Sequence, residues 1–439
     1  MYGTYDTMLQ TTPPISPAMT SFPPPAGRMP ERMEERTKGH PSPLDRAIVA
    51  SREFFLHQQL PEGYWWAELE SNATITAEYL MLFHLLGTVD RERERKIVNY
   101  LLSKQTNDGF WTIYHGGPGD LSTTVEAYFA LKLAGTPADH PAMTRAREFI
   151  LTKGGILKCR VFTRIFLALF GEFSWYGVPS MPIELMLLPN WAYFNLYELS
   201  SWSRATITPL SIVMAKRPVT RIPQEARVQE LYCHPPRPTD FTVSCEDGIF
   251  TWKNFFIGID HMLKIYEKSP IRPMEKRGLA VAEQWVLNHQ EETGDWGGIQ
   301  PAMLNSVLAL HTLGYPLDHP AMARGLRALA NFTIETRDTL VLQSCVSPVW
   351  DTALALKALL DAGLPTDHPA GVKSAEWLLD REVKIRGDWK IKCPELEPGG
   401  WAFEFLNDHY PDVDDSGFVM LAIRDVEVAD ISRRDATID

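Results

Sequence analysis

The stretch Gln59-Leu60-Pro61-Glu62-Gly63-Tyr64-Trp65 decides the fold, because its spacing, Q-x-x-x-G-x-W, returns along the chain. The further copies are Gln105, Gly109 and Trp111, then Gln290, Gly294 and Trp296, and more weakly Glu382, Gly387 and Trp389. We interpret each copy as a helix that ends near the Gln, a turn at the Gly, and a Trp that stacks over the next turn. The Gln amide can bond open backbone groups at a neighbouring helix end. The Trp side chains are therefore expected to pack repeats together rather than to take part in catalysis.

A second repeated unit, G-x-P-x-D-H-P-A, occupies residues 135–142, 314–321 and 363–370. Each copy follows an apolar stretch with helical spacing and precedes another. Gly suits the position just after a helix, and Asp before His-Pro suits the start of the next one. Strand signals are sparse. The chain is therefore predicted to be all-α, with αα-hairpin repeats that curve into an (α/α) barrel or toroid.

Composition excludes several classes of protein. The chain has 439 residues, of which 45% are hydrophobic, and a formal net charge of −12, which argues against binding to nucleic acid. It has neither the basic start and apolar stretch of a signal peptide nor the run of about 18 apolar residues of a spanning helix. The Cys residues are Cys159, Cys233, Cys245, Cys345 and Cys393. Their scatter predicts no disulfide framework, no zinc site and a reducing compartment.

The repeats divide the chain into three parts. Residues 1–43 are rich in Pro, Ser, Thr and Met and are predicted to be a disordered leader. Residues 44–345 contain enough helical repeats to close a first (α/α) barrel. Residues 346–439 are expected to start a second (α/α) barrel, which is incomplete here.

Three carboxyls crowd into Asp412-Val413-Asp414-Asp415. If they are close and buried, repulsion and desolvation raise at least one pKa, so that one carboxyl stays protonated. Protonating an unactivated C=C bond requires such an acid in a dry pocket. The alternative is a solvated helix N-terminus, where acidic residues are common.

From about residue 44 to its last residue, the chain resembles the squalene–hopene cyclase family. Its Q-x-x-x-G-x-W copies match the QW motifs of that family, and residues 412–415 match its D-x-D-D motif. Further similar stretches are residues 163–171, 201–205, 296–301 and 347–352. The resemblance implies an isomerase (an intramolecular transferase) that cyclises squalene to hopene-type pentacyclic triterpenes through carbocations. It implies neither a cofactor nor a metal.

The resemblance also assigns roles to particular residues. Asp414 would be the proton donor, with Asp412 and Asp415 orienting it. The cavity residues that it implies are Trp202, Trp350 and Phe403 as aromatic walls, and Gln300 and Pro301 at a constriction that holds water. Aromatic faces stabilise cations without reacting with them. Supporting polar positions would be Glu78, Glu126 and Arg160.

Residues 181–197 are rich in Met, Leu and aromatic residues but are broken by Pro182, Glu184 and Pro189. Such a segment cannot span a bilayer, but it can dip into one leaflet. The family is monotopic and its substrate dissolves in lipid. The resemblance therefore implies a bacterial protein at the cytoplasmic side of the membrane, with squalene and the membrane surface as partners and a homodimer left open.

The chain departs from the family by ending soon after D-x-D-D. A truncated gene, a frameshift or a fragment of a longer protein would each explain this, and a C-terminal half that is supplied separately is left open. This chain alone is expected to be a poor catalyst. Two alternatives stay open at this stage. Another D-x-D-D cyclase would act on a diterpenyl diphosphate, although the sequence offers no matching basic cluster. A non-catalytic αα-repeat scaffold would have no turnover. The sequence does not determine the cyclised product.

Overall fold

The computed structural model describes residues 42–242 and 251–438. Most of the predicted leader, residues 1–41, lies outside this range, and so does Cys245. Among the described residues, Cys159, Cys233, Cys345 and Cys393 form no disulfide bond.

The chain forms two compact units. The large unit spans Leu69–Cys345, and the small unit joins the chain from Val346 onward to the described residues that precede Leu69. The sequence prediction instead placed residues 44–68 in the first barrel. These residues belong with the small unit because the backbone N–H of Trp65 donates to Thr352 Oγ1 (3.0 Å).

Helices are the main secondary structure of the described residues, as the repeats predict. The α-helices are α1 (Pro43–Gln58), α2 (Ala73–Leu86), α3 (Arg91–Lys104), α4 (Leu121–Leu133), α5 (Pro141–Thr152), α6 (Val161–Leu169), α7 (Ser201–Lys216), α8 (Trp252–Glu267), α9 (Glu275–Asn288), α10 (Gln300–Leu313), α11 (Pro320–Asn331), α12 (Pro348–Asp361), α13 (Pro369–Leu379), α14 (Val413–Ile423) and α15 (Ile431–Ile438). Short 3₁₀ turns connect several of them. One antiparallel hairpin pairs β1 (Thr333–Glu335) with β2 (Leu340–Leu342), with Thr333 opposite Leu342.

The large unit is built from αα hairpins, each with an inner and an outer helix. The inner helices α2, α4, α7 and α10 carry most of the buried residues. Helix α10 packs against both α2 and α7, and α2 packs against α4. The outer helices α3, α5, α9 and α11 pack behind α2, α4, α7 and α10. A helix that is apolar on nearly every side is stable only inside a core, which explains this layering.

The small unit repeats this hairpin arrangement on a smaller scale. Helix α12 packs against its hairpin partner α13 and against α14, and it also contacts α1. The core between them contains Trp65, Leu356, Trp377, Trp401 and Val419. This core holds the start of α14, where the acidic motif lies.

The Q-x-x-x-G-x-W copies act as clamps between successive hairpins. Gln105 Nε2 donates to the Gly109 carbonyl (2.8 Å) within its own turn and to the Ala142 carbonyl (2.8 Å) at the start of α5. Gln59 and Gln290 each make the same two kinds of bond, at 2.9 Å. The Trp111 indole N–H donates to a carbonyl of the preceding helix, that of Leu101 (2.8 Å). The prediction that the Gln bonds a neighbouring helix end is therefore confirmed.

The fourth copy differs from the prediction. Trp401, and not Trp389, donates its indole N–H to the preceding helix, at the Leu378 carbonyl (2.7 Å). The backbone N–H of Val383 bonds the Gly400 carbonyl (2.9 Å), as the residue after each Gln does in the other copies. Glu382 therefore keeps the place of the Gln, and an insertion separates it from its Trp. A fixed spacing could not reveal that insertion.

The G-x-P-x-D-H-P-A connector joins two helices, as predicted, but the helix cap differs. The ring Nδ1 of His140, His319 and His368 accepts the backbone N–H two residues later, at 3.2, 3.3 and 3.2 Å. The His therefore caps the second helix, rather than the Asp that precedes it. Gly135 has φ of 89°, so a residue with a side chain would be strained at the end of α4.

Among the described residues, no helix combines the length and the apolar character that a membrane span requires.

Candidate active site

The acidic motif forms the N-terminus of α14. Asp412 is its N-cap, and one of its carboxylate oxygens accepts the backbone N–H groups of Asp414 (2.8 Å) and Asp415 (3.4 Å). A helix N-terminus favours negative charge because its free N–H groups point outward. The two interpretations of the motif, an acid cluster and a helix N-terminus, therefore describe the same place.

Asp415 is the member of the motif that the fold buries. Its side chain is only 2% exposed, and Asp415 Oδ1 has no hydrogen-bond partner among the described residues. Burial raises the pKa of Asp415 to about 7, and repulsion from Asp412 and Asp414 adds to that increase. Burial, with crowding as the smaller cause, thus raises the pKa of one carboxyl in the motif. The Asp414 side chain is exposed, and its role as the proton donor stays a prediction.

Trp350 lies close to the helix face that carries the exposed acid. Its ring centroid is 5.4 Å from that of Phe418, which stands one helical turn after Asp414. Residues four apart on a helix share a face, so Phe418 and Asp414 project from the same side of α14. The structure therefore brings Trp350 beside the motif within the small unit.

The remaining predicted cavity walls are Phe403 and Trp202. Phe403 is partly buried in the small unit, two residues after the clamping Trp401. Trp202 is partly buried at the start of α7 in the large unit. A cavity shared by these side chains stays a prediction.

Ser416 holds the start of the motif helix in place. Its hydroxyl donates to the Asp412 carbonyl (2.6 Å) and accepts the backbone N–H of Trp401 (2.9 Å). Thr124 makes the equivalent bonds in the large unit, to the Asp120 carbonyl (2.7 Å) and from Trp111 N–H (3.1 Å). The helix that carries the acidic motif is therefore fixed by the same pair of hydrogen bonds that fixes the inner helix α4.

Two carboxyls, the buried Glu126 and the partly buried Glu78, lie close together among the inner helices of the large unit. Gln300 Nε2 donates to Glu78 Oε2 (2.9 Å), and the Thr163 hydroxyl donates to Glu126. Burial raises the pKa of both carboxyls, and the charge of Glu126 raises the pKa of Glu78 further. Two close carboxyls in a low-dielectric site are most stable when they share a proton. The predicted polar positions Glu78, Glu126 and Gln300 thus form one cluster.

Arg160 and Pro301 stand at the edge of this cluster. Arg160 Nη2 donates to Asp120 Oδ1 (2.8 Å), so its direct partner is the cap of α4. Its charge nevertheless lowers the pKa of Glu126, against the larger effect of burial. Pro301 follows Gln300 in the first turn of α10, where the lack of an N–H costs nothing.

The large unit also carries an open apolar groove of about 710 Å³. Its wall comes mainly from the segment that the sequence singled out, including Met181, Leu185, Trp191 and Phe194. The Trp191 side chain is 87% exposed. The same unit exposes a row of apolar side chains on α8, which are Trp252, Phe255, Phe256 and Met262.

The two apolar surfaces are linked. Glu184 accepts from Tyr266, in the last turn of α8, at 3.0 Å, and pairs with Arg272 at 3.1 Å. The ion pair is mostly shielded from water, so it fixes the end of α8 against the segment around Glu184. Together they present one broad apolar region to solvent.

The sequence reasoning missed three of these features, namely Phe418, the Ser416 clamp and the apolar face of α8. Each had a signal. Phe418 stands four residues after Asp414, and Ser416 four after Asp412, just as Thr124 stands four after Asp120. The α8 face shows as an aromatic residue recurring at helical spacing over residues 252–266.

Comparison with known proteins places these features in context. The family model for the squalene-hopene cyclase N-terminal domain matches residues 48–338, and that for the C-terminal domain matches residues 346–439. A squalene–hopene cyclase from Alicyclobacillus acidocaldarius is 45% identical over 394 residues, which cover 89% of this chain and 60% of that protein. Dammaradiene synthase from Dryopteris crassirhizoma is 43% identical over 385 residues, covering 88% of this chain and 56% of the relative.

A solved structure of a type II terpene cyclase from Scytonema is 14% identical, covers 90% of this chain and 98% of its own, and has a TM-score of 0.18. That score is too low to support an argument. The chain spans 56% to 60% of the two curated relatives described above.

Proposed function

Because the chain belongs to the squalene–hopene cyclase family, we propose that it forms the acid-bearing part of an enzyme that cyclises squalene to hopene-type triterpenes. The observation that carries this proposal is the carboxyl cluster at the start of α14, in which the pKa of a buried carboxyl is raised to about 7. A carboxyl cluster that keeps a proton near neutral pH has one to give to an alkene. The raised pKa belongs to Asp415, and the choice of Asp414 as the group that donates rests on the family match.

In the proposed reaction, Asp414 gives its proton to a terminal C=C bond of squalene. The π electrons form the new C–H bond and leave a tertiary carbocation on the neighbouring carbon. Successive C=C bonds attack that cation, and each attack forms a C–C bond. Loss of a proton from the final cation gives an alkene, so that squalene and product have the same atoms. Asp412 and Asp415 orient Asp414 and hold the charge that its proton leaves behind.

Aromatic side chains would stabilise the moving positive charge. An aromatic face contributes about 0.5–2 kcal/mol toward a cation, depending on how well water is excluded. Trp350 supports this role because it lies beside the α14 face that carries Asp414. Phe403 and Trp202 are proposed as further walls by their family match.

The carboxyl cluster in the large unit is proposed to receive the proton at the end of the reaction. Gln300 Oε1 is a buried acceptor with no partner among the described residues, so it can hold a water molecule there. Glu78 and Glu126 share a proton and can take up another through such a water. Pro301 and Arg160 would shape this end of the cavity and tune its charge.

Replacement of the proposed donor tests the reaction. Asp414→Asn should abolish cyclisation of squalene when the chain is supplied with the C-terminal portion of the A. acidocaldarius relative. It should leave urea unfolding almost unchanged, because the Asp414 side chain is exposed. Asp425→Asn, another exposed acid in the small unit, is the control and should retain turnover. Turnover by Asp414→Asn close to that of the unmodified chain would overturn the assignment.

Squalene dissolves in lipid, and the apolar surface of α8 with the groove at residues 181–199 is proposed to rest on the membrane. Polar side chains attach α8 to the rest of the large unit, since Asp260 accepts the backbone N–H of Ser180 (2.7 Å) and pairs with Lys264 (2.7 Å), whereas Trp252 and Phe256 are exposed. An amphipathic helix of this kind lies in the interface with its apolar face in the lipid. The protein would thus be monotopic, at the cytoplasmic side of the membrane.

Vesicle binding tests the membrane contact. Trp252→Gln and Phe255→Gln should each weaken binding to phosphatidylcholine vesicles at least tenfold, because each removes about 1.5–3 kcal/mol of apolar burial. Phe54→Gln replaces another exposed ring, on α1 in the other unit, and serves as the control. Equal binding by all four proteins would contradict the proposal.

A further inference from the structure

A threonine hydroxyl that the proposed reaction leaves unused contacts the carboxyl pair of the large unit. Thr163 lies in the first turn of α6 and is 1% exposed. Its hydroxyl donates a hydrogen bond to Glu126 Oε1, on α4. Glu126 is itself 3% exposed, so water does not compete for this bond and its effect on the carboxyl is strong. Thr163 is therefore placed to influence the charge of Glu126.

The second carboxylate oxygen of Glu126 depends on Glu78. Glu126 Oε2 accepts no hydrogen bond from a fixed donor of the described residues, whereas a protonated Glu78 can supply one. Gln300 Nε2 donates to Glu78 Oε2 (2.9 Å) and holds the Glu78 carboxyl in place. A hydrogen bond between two carboxyls requires one proton, which belongs to the donor. The contacts thus favour a protonated Glu78 that donates to an ionised Glu126.

The titratable and charged groups that face Glu126 act in opposite directions. Burial, the largest effect, raises the pKa of Glu126 to about 7, and the bond from Thr163 is the strongest effect that lowers it. The charge of Arg160 also lowers this pKa, whereas the charge of Asp120, which pairs with Arg160 at 2.8 Å, raises it. Cys159 is a neutral thiol, because burial and then Glu126 raise its pKa to about 12. Thr163 is therefore the main contact that favours an ionised Glu126.

We propose that Thr163 is a positioning residue that keeps the negative charge on Glu126 and thereby leaves the shared proton on Glu78. A hydroxyl bonds a carboxylate more strongly than a neutral carboxyl, so its bond favours the ionised form. Without this donor, Glu126 takes up a proton at higher pH, and the two carboxyls lose the difference that fixes the position of the shared proton.

This arrangement gives Glu126 a defined part at the end of the proposed reaction, and the inference rests on the proposed function only for this part. When the final cation becomes an alkene, the electron pair of a C–H bond forms the π bond, and the proton passes to the water proposed at Gln300. That water passes a proton to the Glu126 carboxylate, which becomes a carboxylic acid. Glu78 already holds its proton, so the site can act as a base only while Glu126 is ionised. Release of the proton to solvent restores Glu126 for the next turnover.

Infrared titration of the full 439-residue chain tests the proposal without turnover. The carboxylic-acid C=O band that disappears in Glu126→Gln reports proton uptake by Glu126. Thr163→Val keeps nearly the same side-chain shape but removes the donor, so the midpoint of this uptake should rise by about one to two pH units. Thr163→Ser keeps the hydroxyl and should have the midpoint of the unmodified chain.

Thr208→Val is the matched control. Thr208 is a fully buried threonine on the inner helix α7 of the same unit, and its hydroxyl has no hydrogen-bond partner among the described residues. This replacement also removes a buried hydroxyl, but it should leave the uptake midpoint unchanged. If Thr163→Val fails to fold, Thr163→Cys places a weaker S–H donor at the same position and should raise the midpoint by a smaller amount.

The pH profile of turnover connects the titration to the reaction. Squalene cyclisation by the chain together with the C-terminal portion of the A. acidocaldarius relative should decline in acid as Glu126 takes up its proton. Thr163→Val should move this acid limb to higher pH by the same amount as the infrared midpoint. Thr163→Ser should return the limb to its original position, which a purely structural defect would not do.

Two results would overturn the proposal. One is an infrared midpoint of Thr163→Val that equals that of the unmodified chain. The other is a shift that Thr163→Ser or Thr208→Val reproduces, because the cause would then be packing and not the donated bond. A shifted infrared midpoint with an unmoved turnover profile would support the position of the proton and contradict the proposed role of the carboxyl pair as the base.

Discussion

Replacing the buried acid Asp415 by Asn should make the small unit more stable, and the gain should depend on pH in a defined direction. The fold raises the pKa of this carboxyl from its ordinary value of 3.8 to about 7, chiefly through burial and then through Asp412 and Asp414. The unfolded chain releases the proton near pH 4, whereas the folded chain holds it to about pH 7. Folding is therefore penalised wherever the unfolded carboxyl is charged.

The sign and the size of this penalty follow from that difference. It is absent below about pH 3.8, grows as the pH rises toward about 7, and is constant above that. The full difference of about three pKa units corresponds to about 4 kcal/mol. Water near the helix N-terminus screens part of it, so we expect Asp415→Asn to raise the free energy of unfolding by about 1–3 kcal/mol at pH 8. At pH 3.5 the two proteins should be equally stable.

Urea unfolding at pH 3.5, 5.5 and 8 measures this difference, and hydrogen exchange of α14 amides assigns it to the small unit. The control is Asp425→Asn. Asp425 is exposed, and its bond from Arg424 lowers its pKa. Its stabilising contribution is therefore present above the ordinary carboxyl pKa and lost in acid, and the replacement should not stabilise the protein at pH 8. An Asp415→Asn gain that is equal at pH 3.5 and pH 8, or a loss at pH 8, would refute the reasoning.

The remaining predictions concern the clamps and the carboxyl cluster. Trp401→Phe should lower the free energy of unfolding by about 1–3 kcal/mol, because it leaves the Leu378 carbonyl without its donor, whereas Trp389→Phe should cost less. The reverse order in urea unfolding would restore Trp389 as the clamp. Gln290→Ala should lower the free energy of unfolding by about 1–3 kcal/mol, because the Gly294 and Ala321 carbonyls and Arg324 lose their hydrogen-bond partner. The control Gln284→Ala removes one exposed hydrogen bond and should change the free energy of unfolding by less than about 0.5 kcal/mol. Glu126→Gln should stabilise the large unit at pH 8 but not at pH 4, because burial raises the pKa of that carboxyl, and thermal unfolding at the two pH values would detect a reversed sign.

The fold could be read from the sequence because its repeats are local. Each clamp places its Gln, Gly and Trp within seven residues, and each connector fits within eight. The same locality explains the errors. The fourth clamp lost its spacing to an insertion, and α1 joined the small unit through the contact of Trp65 with Thr352, which is distant in sequence. No local pattern encodes a pairing of that kind.

The candidate site was predictable to a lesser degree. The acid cluster and the individual residues Gln300 and Glu78 were named through resemblance, but the contact between Gln300 and Glu78, which are 222 positions apart, was not anticipated. The sequence could not tell which Asp of the motif is buried, because burial depends on how α14 packs against α12. The sequence analysis also identified residues 181–197 as the apolar surface but overlooked α8. The Lys and Asp residues of α8 interrupt its apolar residues along the sequence, so the apolar face becomes apparent only in the helical conformation.

The most direct test of the proposed cyclase function is the conversion of squalene in D₂O by the 439-residue chain together with the C-terminal portion of the A. acidocaldarius relative. Mass spectrometry of the hydrocarbon products reads both cyclisation and the origin of the added proton. We expect a pentacyclic triterpene that carries one solvent-derived deuterium on the terminal alkene carbon that is protonated. We expect little product from the chain alone, and none when the chain carries Asp414→Asn. Pentacyclic product without deuterium, or undiminished product from the Asp414→Asn chain, would contradict the proposed function.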